Sequence, residues 1–188
     1  MSLSITIDLS DNDLLHFQEA VKRAQEGAGT RSAKEITEAA GQLLKEAEGK
    51  QVPEFISQRL CKLEALINMV VDDGWGLSGE DKQRVLTALT YFADPKDVIP
   101  DSVPVVGLLD DAIMIELCVR ELKHEVDAYE DFCSYRKKEA EERGVEASSL
   151  LRADWLDERR VELQERMRRR RTGSYAGTPG MSSVFGVR

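Results

Sequence analysis

The sequence predicts an all-α domain: about six helices in a compact bundle, with a Pro/Asp-rich loop before a long central helix. Three observations carry this. Ala, Leu, Glu, Lys, Arg and Gln are abundant and only 5 prolines occur in 188 residues, a balance that favours helix. Apolar residues recur three and four positions apart, the period of a helix with one buried face. Capping residues and glycines frame several of these runs.

Leu3, Ile5, Ile7 and Leu9 alternate with polar residues, a short strand-like lead-in. Helix 1 begins after Ser10, with Asp13 at the third helical position, and ends at the glycines of 27–29. Ser32 and Glu35 form an S-x-x-E capping box for helix 2, which runs to Glu48 before Gly49. Pro53 suits the first turn of helix 3, and Phe55, Ile56, Leu60, Leu63, Ile67 and Val70 make its apolar stripe. Helix 4 opens at Ser78 with Asp81 three residues on, and Asp94-Pro95 closes it, because proline pushes the preceding residue out of the α region.

Pro95, Pro100, Pro104 and Gly107 mark a turn-rich loop over 94–109. Helix 5 follows, and Ile115, Val119, Leu122, Val126, Tyr129 and Cys133 give it an unbroken seam over five turns. Gly144 interrupts the charged run that comes next. Helix 6 then starts near Ser148 or Ser149 and carries Leu151, Trp155, Leu156, Leu163 and Met167. The chain therefore divides into an acidic helical domain at 1–143, a charged C-terminal helix at 144–171 and a tail at 172–188. Ten of those last 17 residues are Gly, Ser, Thr or Pro, a composition expected to stay disordered.

The net charge of −9 conceals an asymmetry. Residues 1–135 hold 13 Lys and Arg against 26 Asp and Glu, whereas 136–188 hold 13 against 9. An acidic body repels nucleic acid and anionic lipid, so only the C-terminal arm could attract them. No apolar run is long enough for a membrane span, and the first ten residues lack the pattern of a secretory signal. The expected setting is the cytoplasm, with peripheral contact at a membrane as the alternative.

Cys61, Cys118 and Cys133 have no CxxC spacing, and the two histidines, His16 and His124, have no HExxH spacing. Buried free thiols are expected, and a zinc site is not. Gly74, Gly76 and Gly79 spell GxGxxG, but helix 3 precedes them where a dinucleotide fingerprint needs a strand. This is a turn between helices.

The most specific stretch is Tyr91, Pro95, Asp97, Ile99, Pro100, Asp101, Pro104, Gly107, Asp110 and Asp111. In the order Y-x-x-x-P-x-D-x-I-P-D-x-x-P-x-x-G-x-x-D-D, these residues resemble the YkvA family, a small bacterial domain of unknown function, over roughly 80–125. The resemblance implies a helical hairpin around a proline-rich loop and supplies no activity. Three readings of the aspartates stand side by side. Asp97, Asp101, Asp110 and Asp111 could hold a hard cation, Mg²⁺ or Ca²⁺, through carboxylate oxygens. Alternatively they cap turns and the start of helix 5, where carboxylates meet free amides and the positive dipole end. A loop that docks a partner is the third.

Arg166, Arg168, Arg169, Arg170 and Arg171 form the second feature, with no acid after Glu165. As a solvated helix end they complement the dipole; as a binding arm over 166–188 they would contact a protein, phosphates or anionic lipid. The reading favoured by the sequence is a non-enzymatic interaction or adaptor protein needing no cofactor, with the loop as scaffold and this arm as the contact element. The alternatives are a metal-dependent hydrolase built on the four aspartates and a nucleic-acid or membrane-surface binder acting through the arm. The oligomeric state is left open by the sequence.

Overall fold

Ser10 and Asp13 open the first helix as a reciprocal pair: the Ser10 amide donates to the Asp13 carboxylate at 2.8 Å, and the Asp13 amide returns to the Ser10 hydroxyl at 3.3 Å. Ser32 and Glu35 repeat the device at the second helix, with a 2.6 Å bond from the Ser32 amide. Both carboxyls sit below their ordinary range because the serine hydrogen bonds favour the charged form. The computed structural model of the chain describes residues 8–27, 31–50, 52–93, 108–150 and 154–175. Among these, seven α-helices occur and no strand. They are α1 (Asp11–Gly27), α2 (Ala33–Ala47), α3 (Glu54–Val71), α4 (Gly79–Leu89), α5 (Leu109–Glu121), α6 (Lys123–Arg143) and α7 (Asp154–Tyr175). A 3-10 turn, Thr90–Ala93, extends α4. The expected lead-in strand lies mostly outside the described residues.

The all-α bundle is the predicted one, with one correction. The helix expected to run unbroken through the seam is two helices, jointed at Leu122. There φ is −97° and ψ is 22°, far from the helical ψ near −42°. Neither Gly nor Pro marks the joint. The joint falls where the chain passes from one neighbour to another: α5 packs mainly along α3, whereas α6 packs mainly along α7. The apolar face nonetheless continues across it, with Ile115, Leu122, Val126 and Tyr129 buried and Val119 and Cys133 partly so. Leu122 itself is 1% exposed.

Two groups of packed elements result. Helices α1 and α2 cover the 3-10 turn, and α2, α4 and α5 surround α3. The α6–α7 hairpin forms the other, turned by Gly144 at φ 64°, a left-handed conformation that suits glycine. Fully buried Leu156, Leu163 and Met167 bring α7 into the core. Helix α7 also runs to Tyr175, four residues past the boundary expected at Arg171, so residues 172–175 belong to the helix rather than to the tail. Among the described residues no helix is long and apolar enough to cross a membrane.

Candidate functional site

The loop motif divides. Pro95, Asp97, Ile99, Pro100, Asp101, Pro104 and Gly107 lie outside the described residues. Tyr91 is buried in the 3-10 turn, edge-on to Phe92 with ring centroids 5.2 Å apart. Asp110 and Asp111 occupy the first turn of α5, where the helix dipole favours their charge. They are 2% and 6% exposed, while Asp97 and Asp101, the other two of the four aspartates, lie outside the described residues. Among the described residues no three His, Cys, Asp or Glu side chains gather closely enough to hold a metal ion.

Charge converges elsewhere, between α4, α6 and α7. Asp81 and Arg84 are one helical turn apart on α4, and both are buried. Arg84 donates through Nε to Glu125 Oε1 of α6 at 3.1 Å. Arg171 of α7 donates through one Nη1 to the same Glu125 oxygen at 2.9 Å and to Asp81 Oδ1 at 2.8 Å. Arg168, a turn earlier, places its Nε 2.8 Å from Asp81 Oδ2. Burial disfavours the Arg171 cation, but the bonds and charges of Glu125 and Asp81 prevail and hold it more firmly protonated than usual. Buried carboxylates need such partners, because an uncompensated charge in the interior is strongly unfavourable.

A second cluster fixes the turn after α3. The Asp72 carboxylate accepts from the backbone amides of Gly74 (2.9 Å) and Trp75 (3.2 Å), from the Tyr129 hydroxyl (3.0 Å), and from Arg136 in a two-pronged pair at 2.9 and 2.7 Å. Burial alone would raise the Asp72 pKa; the Arg136 bonds and charge, then Tyr129 and Trp75, outweigh it and bring the group below its ordinary value. Gly76, the second glycine of the GxGxxG string, takes a φ of 59° in this turn. Trp75 is fully buried against Tyr129 and Phe132. Helix α7 closes over the turn, with Gln164 donating to the Trp75 carbonyl at 2.8 Å.

The arginine run thus splits by helical phase. Arg168 and Arg171, three apart, face the buried acids; Arg166 pairs with Asp131 of α6; Arg169 and Arg170 are exposed. The arm is helical as expected to Arg171 and onward to Tyr175, and Arg168 and Arg171 dock it on the body. Sequence reasoning missed Asp81, Glu125 and Asp72. Asp81 was read as part of a helix start, yet Ser78 makes no side-chain cap, and the carboxylate turns to α7 instead. The available signal was the buried phase of Glu125, one residue before Val126 of the seam, against a run of arginines on a helix with an apolar stripe. The thiols are free, but Cys61 is exposed rather than buried; burial pushes the Cys118 thiol well above its usual pKa.

Asp72, Asp81 and Glu125 are each held by at least one guanidinium group. What the fold leaves outward near its C-terminal end is a charged helix face. No curated protein and no solved structure matches the chain. Residues 82–117 match a family described as a protein of unknown function, DUF1232, and the resemblance to the YkvA family is consistent with that match.

Proposed function

We propose that the protein is a non-enzymatic interaction protein, an adaptor working in the cytoplasm, whose contact element is the outward side of the C-terminal end of α7. One observation carries this reading: the buried charges of α4, α6 and α7 neutralise one another. Acids that hold a helix in place serve architecture, while Arg169 and Arg170 remain exposed on a rigid support. A protein partner with an acidic surface suits that end, whereas the acidic body, with 13 Lys and Arg against 26 Asp and Glu over 1–135, disfavours a long polyanion lying across the molecule.

The test has two arms. Full-length protein and its Arg169→Glu/Arg170→Glu variant are cross-linked in extract of the source organism, and captured proteins are quantified. A reproducible partner lost with the variant supports the adaptor reading. In parallel, the protein is titrated calorimetrically with Mg²⁺ and Ca²⁺ and incubated with phosphate esters. Stoichiometric binding with hydrolysis abolished by Asp110→Asn would replace it with the metal-dependent hydrolase.

A further inference from the structure

We propose that the outward stripe of α7 is a self-association surface on which a second copy of this chain packs antiparallel. Glu158, Glu162, Glu165 and Arg169 are all exposed and follow one another at i, i+4, i+7 and i+11, one side of a helix. Leu156, Leu163 and Met167 occupy the opposite, buried side. Val161, 48% exposed, flanks the stripe and is one of the few large apolar side chains left in water.

The charges along the stripe are segregated. Acids occupy its N-terminal part, and Arg169 lies in its C-terminal part, with exposed Arg168 and Arg170 on either side. A parallel second copy would set Glu162 against Glu162 and Arg169 against Arg169. An antiparallel copy, related by a two-fold axis between Glu165 and Arg166, sets Glu162 against the partner's Arg169, and by symmetry the reverse contact forms as well. Each pair lies about 5 Å along the helix from the axis, from seven residues of separation at 1.5 Å each. Close to the axis Glu165 meets its own copy, so the complementarity rests on the two flanking pairs of Glu162 with the partner's Arg169, which are related by the two-fold as such an interface requires. Arg168 and Arg171 remain on Asp81 and Glu125, so the fold is not disturbed by the association.

Exposed ion pairs are weak and salt-screened, so the dimer is a transient one formed at high protein concentration. The proposal rests on the reading of α7 as the contact element, with the chain itself as one partner. The experiment is sedimentation equilibrium of the full chain across protein and salt concentrations. Self-association is expected at low salt and should weaken by about tenfold or more between 0.05 and 0.5 M salt.

Two single charge reversals then decide the geometry. Glu162→Arg puts arginine against arginine twice in its own dimer, and Arg169→Glu puts glutamate against glutamate twice. Each variant alone should be monomeric, while a mixture of the two should restore the dimer, because both 162–169 pairs across the mixed interface are again opposite in charge. Circular dichroism and melting curves verify that both are folded. A wild-type chain that stays monomeric throughout, or a mixture no more associated than its components, would overturn the proposal. Glu162→Arg leaves the arginine end intact, so loss of partner capture in that variant is not expected; failure of self-association with retained capture removes this inference alone.

Discussion

Arg171 Nη1 lies 2.8 Å from Asp81 Oδ1, joining the last turns of α7 to the first turn of α4 across 90 residues of chain. The same nitrogen reaches Glu125. One side chain thus ties three helices together at a place where both acids are buried.

Arg171→Ala should destabilise the protein by about 1.5–3 kcal/mol, the range for losing hydrogen bonds to charged groups, because Asp81 keeps Arg168 and Glu125 keeps Arg84. Arg169→Gln, on the exposed side, should stay within about 0.5 kcal/mol of wild type. Urea unfolding of the two variants measures the contrast. Equal, small effects would mean that Asp81 and Glu125 are solvated when Arg171 is lost.

A chain ending at Tyr175 keeps every ion pair of the cluster, and one ending at Glu165 loses Arg168, Arg171 and buried Met167. The shorter chain should melt markedly lower than the longer. Coincident melting curves would return the arm to the status of an appendage.

Leu122→Ala should cost about 2–5 kcal/mol, since the leucine is 1% exposed at the joint between α5 and α6. Chemical denaturation gives the value directly. An effect under about 1 kcal/mol would show that the joint collapses around the smaller side chain.

Asp72 has a folded-state pKa below the ordinary aspartate value. The folded protein therefore binds fewer protons there than the unfolded chain, and its stabilisation is complete above the unfolded pKa near 4. It is lost as pH falls through the lower folded value. Asp72→Asn should accordingly be least stable relative to wild type at neutral pH, with the gap narrowing below about pH 4. Melting temperatures from pH 3 to 7 test this; a gap independent of pH would assign the effect of the carboxylate to hydrogen bonding alone.

Gly144→Ala places a Cβ at φ 64°, where L residues lose roughly 1–2 kcal/mol. Nothing lies within 4 Å of the added atom, so the loss should be purely conformational, and Gly144→Asn should recover part of it. Thermal melts of the three proteins supply the order.

Local signals were legible and relationships between distant segments were not. Ser10 with Asp13 and Ser32 with Glu35 act within four residues, and both form the caps their spacing implies. The seam from Ile115 to Cys133 correctly marks the face turned to the core, yet its regular period hid the break at Leu122, because no Gly or Pro in the run marks it and the apolar face continues across it. Asp81 was misread for the same reason: at short range it looks like a helix-start acid, and only the arrival of Arg168 and Arg171 from α7 reveals its other role. The aspartates of the loop carried the strongest pattern, but Asp97 and Asp101 lie outside the described residues, and Asp110 and Asp111 face inward.

The split ownership of the charge cluster bears on how the chain could be cut. The segment matched to the family, 82–117, contains Arg84 but neither Asp81 nor Glu125 nor Arg171. Excised by those limits, it would carry a guanidinium shaped for an interior that had been left behind. A fragment that keeps the cluster whole has to include Asp81 and extend through Arg171, so it is far larger than the matched segment.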